Sequence, residues 1–321
     1  MMSREGRLFF SGNILAKSGL RKRDLIHPVF ISERSAPVKS AFPGVSFSSP
    51  ESLVAELEGI SKSGISNVIF FGIPSLRDAD GQSAWSDRGI VQRAIRMAKK
   101  SFGKKLAIYA DTCLCQYNLS GHCGVESRQG GLIDNDGTLD LLKKIALSQA
   151  SAGADVVAPS AMMDGQVLEI KRCLQQNGFD NCKILSYSAK HASSLYTPFR
   201  SAAFAKHSPI DKSSYQVSYA DARQAMRELE YDVLEGADMV MVKPAIAHLD
   251  LVAEAKARFD VPIVVQNVSG EYMMVKAAAS EGWIDEDEWK AVCMSSIKRA
   301  GADMIVSYFA SDVAQMLDKA R

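Results

Sequence analysis

This chain has almost no surplus of charge: 38 Lys and Arg stand against 37 Asp and Glu, a formal net charge of +1 over 321 residues. A nucleic-acid binder usually carries a clustered basic face and a high pI, and no such cluster stands out, so a polyanionic partner is excluded. Long apolar runs are missing too: none approaches the ~18 residues of a membrane span, which excludes a membrane helix. The first residues, MMSREGRLFFSG, lack the uninterrupted apolar core and small-residue cleavage site of a secretory leader. A cytoplasmic location is the expectation. Cysteine is scarce, six in all, too few for a disulfide scaffold. No low-complexity tract or Pro/Gly-rich linker divides the chain. What remains is ordinary globular material, 47% hydrophobic and 23% charged, enough for one large core.

Eight short β-branched or apolar runs recur with helical patterns between them: Leu25 to Ile31, Asn67 to Ile73, Leu106 to Asp111, Asp155 to Pro159, Lys183 to Ser188, Asp238 to Val242, Val261 to Gln266 and Asp303 to Tyr308. Strands alternating with helices pair in parallel through crossovers, and eight such units predict an α/β protein with a closed (β/α)8 barrel, a TIM barrel. A doubly wound open sheet is the alternative. Helix starts are marked at Ser49-Pro50-Glu51 and at Asp285 to Glu288, ahead of Trp289. Residues 1–21, with Arg4, Arg7, Lys17 and Arg21 among small residues and with Leu8, Phe9 and Phe10, read as an N-terminal arm outside a barrel of residues 22–321.

A weak internal repeat sets the phase. Gly153-Ala154-Asp155, Gly236-Ala237-Asp238 and Gly301-Ala302-Asp303 each follow a helix and precede a strand, with the glycine suited to the left-handed residue that ends the helix. Seven residues on from each glycine stand Ser160, Lys243 and Tyr308, three polar groups at one height at the C-terminal ends of their strands. That rim is where a parallel barrel builds its sites. Two long connections leave the same rim, from Thr112 to about Gly137 and from Ala189 to about Tyr219, after strands that end in Asp111 and Lys190; connections of that length are commonly lids or binding loops.

Lys243 closes the run Met239-Val240-Met241-Val242-Lys243-Pro244-Ala245 and shares a strand face with Met239 and Met241. If that face is the barrel interior, the ammonium stands against apolar walls. Lys190 ends the preceding strand, close enough for two amines to share one pocket. Desolvation and a neighbouring cation both disfavour the charged form, and a neutral amine can attack a ketone to form a Schiff base. A lone rim lysine more often runs its stem along apolar surface to water, but two at adjacent rim positions favour chemistry.

Three of the six cysteines crowd into Asp111-Thr112-Cys113-Leu114-Cys115-Gln116-Tyr117-Asn118-Leu119-Ser120-Gly121-His122-Cys123-Gly124. Thiolates at C-x-C-x7-C leave one position of a tetrahedral zinc ion open, the pattern of a catalytic site. His122 is a possible fourth ligand or a donor behind the ligands. A structural zinc and a reversible disulfide are the other readings; the loop's place on the lysine rim favours catalytic zinc.

From about Arg21 to the C-terminus the chain resembles the porphobilinogen synthase (5-aminolevulinate dehydratase) family. The matching segments are DLIHPVF, GIVQRAIR, DTCLCQYNLSGHCG, APSAMMDGQV, SYSAKHASSLYTPFR, EGADMVMVKPA, VQNVSGEY and AGADMIVSYFA. The resemblance implies a (β/α)8 barrel that joins two 5-aminolevulinate molecules into porphobilinogen with loss of two waters, in tetrapyrrole synthesis. It assigns Lys243 the Schiff base with the substrate that becomes the propionate side and Lys190 the acetate-side substrate. Ser269 and Tyr308 match donors to the propionate-side carboxylate; Arg200, Lys212 and Gln216 match acetate-side anchors. Cys113, Cys115 and Cys123 match the zinc-type members. Glu228 matches a position that in some members holds an allosteric magnesium ion, although its helical setting also suits a solvated glutamate. A homo-oligomer, an octamer in particular, is implied, with the arm wrapping a neighbour. Asp111 is the nearest candidate for proton transfer, against a plain role bonding a rim lysine or a loop amide. Two other functions fit the residues alone: an aldolase-type barrel with one Schiff base, and a non-catalytic barrel presenting a zinc loop to a partner.

Overall fold

Residues 14–33, 43–127, 132–203 and 210–319 are described by the structure, a computed structural model. Eight strands carry it: β1 (Leu25–Ser32), β2 (Asn67–Ile73), β3 (Ala107–Thr112), β4 (Val156–Pro159), β5 (Lys183–Lys190), β6 (Met239–Lys243), β7 (Ile263–Asn267) and β8 (Met304–Ser307). Each is parallel to its neighbours, and β8 returns to β1 through Leu25↔Ile305 and Ile26↔Val306, so the sheet has no edge in the ring. The (β/α)8 barrel expected from the eight runs is the fold, with strand limits shifted by one or two residues. Three shorter pieces were not anticipated: Phe47–Ser48 beside β1, and a hairpin of Val125–Glu126 with Ile133–Asp134 in the first long connection. Leu8, Phe9 and Phe10 of the arm lie outside the described residues. Farther along the arm, the turn Ile14–Lys17 packs Leu15 against the helices Glu286–Arg299 and Ala310–Lys319.

Two apolar layers follow from the period-two alternation of the strands. Leu185, Tyr187, Met239, Met241, Val264 and Val306 fill the inside of the barrel, while Val240, Val242, Ile184, Ile263 and Ile305 face outward to the helices. On β6 the alternation runs unbroken, and Lys243 therefore points inward after Met239 and Met241.

β5 breaks it. Leu185 and Tyr187 face inward, so strict alternation would send Lys190 out toward the helices. Between the pairs Ser186↔Val240 and Ala189↔Val242, two residues of β5 oppose one of β6. This bulge slips the phase by one, turning Ala189 outward and Lys190 inward, level with Lys243. Ser186 and Ser188, which flank Tyr187 on the outer side, hydrogen-bond Asp232 of the helix Ala222–Leu234, whose carboxyl is pushed up to about 7 by burial against those bonds.

The Gly-Ala-Asp repeat resolves into one device used three times at the N-terminal end of the barrel. The glycines take φ of 104°, 99° and 110°, ending their helices in the left-handed region. The aspartate then reaches sideways to the preceding strand: Asp155 accepts from the Ile108 amide at 2.7 Å, Asp238 from Ile184 at 2.9 Å, Asp303 from Ile263 at 2.8 Å. A lysine from the helix that leads into that preceding strand, Lys99, Lys171 or Lys256, pairs with the same carboxylate. Each repeat thus staples two strands and a helix.

Asp238 is the least exposed of the three. Burial alone would raise its pKa, but the Ile184 amide and the Lys183 and Lys171 ammoniums outweigh it and hold the carboxyl below its ordinary value. A depressed folded pKa contributes stability above the unfolded value of about 3.9, and that stability is lost as pH falls through the folded value. Asp238→Ala should therefore destabilise the fold by about 1–3 kcal/mol at pH 7, with the deficit shrinking at pH 3. Urea denaturation at both pH values checks this; equal deficits would contradict the staple.

Candidate active site

At the C-terminal end of the strands lies a cavity that Asp111, Cys115, Ser160, Lys190, Lys243 and Tyr308 all line. Strand order divides its mouth. β3 and β4 bring Asp111 and Ser160 to one side; β7 and β8 bring Gln266, Ser269 and Tyr308 to the other. Lys190 and Lys243, directly paired across β5 and β6, stand at the seam.

Both lysines overhang one aromatic ring. Lys243 Nζ lies 5.0 Å and Lys190 Nζ 5.8 Å from the centroid of Tyr187, with Tyr196 a second face at 5.1 Å from Lys243. The rings supply a π surface but little solvation. Desolvation first, and the neighbouring Lys190 charge second, lower Lys243 from 10.5 to about 7. Lys190 donates to the Ser160 carbonyl, and the Ser160 hydroxyl bonds Asp111. Asp111 is buried, and desolvation raises its pKa against the pull of both lysines. A carboxyl so placed, beside two amines, can exchange a proton with either.

The backbone under Lys243 is held from outside the barrel. Its carbonyl accepts from the His191 amide at 2.9 Å and faces His191 Nδ1 at 3.2 Å and the Tyr196 hydroxyl at 3.3 Å. His191 stacks on His248 with ring centroids 3.8 Å apart, and His248 Nδ1 meets the Pro244 carbonyl. Neutral imidazoles suit such a stack, and burial lowers the pKa of both rings, His191 to about 4.

On the β7 and β8 side, Ser269 opens the helix Ser269–Ser280. Its hydroxyl donates to the Leu195 carbonyl and accepts from the Phe199 amide, tying the second long connection to this helix. Glu271 fastens the helix start by accepting from the Val268 and Ile246 amides. Tyr308 is stacked on Phe30, which stacks in turn on Phe71. The partial positive charge of the helix start and the Tyr308 hydroxyl suit a carboxylate.

On the opposite side, the second long connection contributes Arg200, Lys212 and Gln216. Arg200 rests 5.5 Å from the Tyr196 ring. Gln216 is buried with neither amide atom partnered among the described residues. Lys212 Nζ donates to Cys123 Sγ at 3.2 Å. The sulfur atoms of Cys113, Cys115 and Cys123 lie within 4.8 Å of one another, and none is in a disulfide. Hydrogen bonds from Cys113 and Cys115, with the Lys212 ammonium beyond them, hold Cys123 well below a thiol's ordinary pKa, while Cys113 is raised. Three free thiols, one with its pKa lowered beside a cation, are a donor set suited to a soft divalent metal.

His122 does not join the trio; its Nδ1 meets the Tyr215 hydroxyl at 3.1 Å, and that hydroxyl also accepts from the Cys123 amide. Tyr215 thereby ties the two long connections together. Glu228 sits half-buried on the helix Ala222–Leu234, away from the cavity, and no cluster of three metal-ligating side chains surrounds it among the described residues. Sequence reading missed Tyr196, Phe199 and Gln266 as cavity walls and Tyr187 as the ring beneath both lysines. Tyr187 and Gln266 had a signal, period-two alternation after the inward-facing Leu185 and Val264 on their strands; Tyr196 and Phe199 had none.

A family profile for delta-aminolevulinic acid dehydratase matches residues 4–316. The delta-aminolevulinic acid dehydratase of Staphylococcus aureus (strain Mu50) is 47% identical over 309 residues, 96% of this chain and 95% of its own length. That of Staphylococcus epidermidis is 46% identical over 310 residues, with the same coverage. Among solved structures, delta-aminolevulinic acid dehydratase (porphobilinogen synthase) from Toxoplasma gondii ME49, in complex with the reaction product porphobilinogen, superposes with a TM-score of 0.91 at 37% identity. The match covers 98% of this chain and 88% of that one.

The pocket's electrostatics make a direct prediction. Competitive labelling with trace acetic anhydride should show Lys243 gaining reactivity with an apparent pKa of about 7, against roughly 10.4 for exterior lysines. Titration of Lys243 together with the exterior set would contradict the desolvation described above.

Proposed function

The chain belongs to the delta-aminolevulinic acid dehydratase family, and from that premise we propose that it condenses two 5-aminolevulinate molecules into porphobilinogen, releasing two waters, with Lys190 and Lys243 as the amines that engage the two ketones. One observation carries the reading: two lysines level with each other over one tyrosine ring, between a carboxylate-binding edge and a thiol cluster. An aldolase-type barrel with one Schiff base would have no use for the second lysine. A partner-binding zinc module would have none for either.

Each substrate has a carboxylate, a ketone and an amine, so a site for two needs two anion anchors around a shared reactive centre. Ser269, Tyr308 and the helix start at Ser269 suit the substrate on Lys243; Arg200, Lys212 and Gln216 suit the one on Lys190. Neutral Lys243 attacks the ketone carbon, the carbinolamine loses water, and the resulting iminium acidifies the adjacent carbon. Asp111, its pKa raised by burial, would take the proton released there and return one to a departing hydroxyl. The aromatic walls of Phe30, Phe71, Phe199 and Tyr196 exclude water, keeping imines from hydrolysing.

Cys113, Cys115 and Cys123 would hold zinc, whose geometry and softness match three thiolates. When bound, it would act as a Lewis acid toward an amine or a water on the Lys190 side. Glu228 as a water-mediated magnesium contact, and assembly as a homo-oligomer with eight subunits, extend the reading to regulation and quaternary structure.

Incubation with 5-aminolevulinate and borohydride, followed by peptide mapping, should place a reduced adduct on Lys243. Lys243→Met should lower porphobilinogen formation at least a thousandfold; label scattered over exterior lysines would overturn the assignment. Cys123→Ser should lower bound zinc, measured by atomic emission on the dialysed protein, by tenfold or more. Unchanged zinc content would place the ion elsewhere.

A further inference from the structure

Gln266 lies on β7 one step beyond Val265, which pairs with Val242, so the register sets it level with Lys243. Val264 faces the barrel interior, and period two points Gln266 into the cavity it lines. Only 3% of the residue is exposed, and its amide oxygen is fully buried with no donor among the described residues. Neighbouring side chains do not share this condition: Asn267 accepts from the Ser307 hydroxyl, and Ser269 both donates and accepts. A buried carbonyl oxygen without a donor is destabilising, and in a cavity wall it marks where a ligand's N–H or O–H belongs.

The substrate's chemistry narrows the choice. Carboxylate and ketone oxygens only accept; the amine is the one donor that 5-aminolevulinate carries. It sits on the carbon next to the ketone carbon, within reach of a side chain level with the lysine that attacks that ketone. We propose that Gln266 is a substrate-binding residue whose Oε1 accepts a hydrogen bond from the amino group of the 5-aminolevulinate held at Lys243. The proposal rests on the Schiff-base reading above. It gives Gln266 a role in specificity: among γ-keto acids, the site selects those aminated beside the ketone.

The test compares two probes in borohydride trapping at Lys243, 5-aminolevulinate and 4-oxopentanoate, the same keto acid without the amine. Gln266→Met removes the acceptor at nearly constant length. The concentration of 5-aminolevulinate that half-saturates trapping should rise about tenfold to a hundredfold, while that of 4-oxopentanoate stays within twofold. Gln266→Glu, which keeps an acceptor, should retain the preference for the amine. Unchanged trapping of 4-oxopentanoate also shows that the variant is folded. Equal weakening of both probes would overturn the proposal, pointing instead to the carbinolamine hydroxyl or to the scaffold, and so would no weakening of either. If neither probe labels Lys243 in the unaltered protein, the Schiff-base reading itself falls, and this proposal with it.

Discussion

A lysine amine kept dry against a tyrosine ring, with a second lysine beside it, is the constraint on which the rest of the rim depends. Moving Lys243 from 10.5 to about 7 corresponds to roughly 5 kcal/mol of preference for the neutral amine. Such a bias does not survive contact with bulk water, so the amine must stand against apolar surface, and it lies over the rings of Tyr187 and Tyr196 in a cavity also lined by Phe30, Phe71 and Phe199. Nor does it survive a full carboxylate pressed against the amine. Asp111 is buried by the same walls, and its own charge is disfavoured by them. Amine and acid are therefore drawn toward each other's range from opposite sides, the condition under which protons pass between them at modest cost.

Charge that the centre excludes is gathered at its margins. On one side the Lys212 ammonium donates to the sulfur of Cys123, whose pKa it helps to lower. On the other, the helix start at Ser269 offers partial positive charge without any ionised side chain. Between these poles the two lysines differ in company: Lys190 donates to the Ser160 carbonyl next to Asp111, whereas Lys243 lies over the faces of Tyr187 and Tyr196. Identical side chains a strand apart can thus take unlike roles.

The two ends of the barrel divide the work between them. At the N-terminal end, three Gly-Ala-Asp staples bind strand to strand with ordinary surface-facing ion pairs. At the C-terminal end, polar groups lie buried and partly unmatched, among them Gln216, Gln266 and the Tyr187 hydroxyl. A rim carrying unmatched groups needs a rigid base, and each staple ties the strand that leads to Ser160, Lys243 or Tyr308 to its neighbour.

Local periodicity determined a good deal of this. Eight runs with helices between them specify a parallel barrel, and the glycine repeat sets three strands in phase. Unbroken alternation through Met239, Met241 and Lys243 is enough to send that lysine inward, since side-chain direction on a regular strand is a property of the strand alone. The cysteine spacing likewise brings its thiols together within one short loop. Other features needed the folded chain. Lys190 points inward only because β5 bulges against β6, and a bulge exists in the pairing of two strands, not in either sequence. Lys212 meets Cys123 across 89 residues of chain, Tyr215 draws His122 away from the thiols, and the empty side of the Gln266 carbonyl is defined by what surrounds it. Short-range geometry repeats along the backbone and can be counted; contacts between distant segments depend on where the barrel brings them, and no spacing in the sequence encodes that distance.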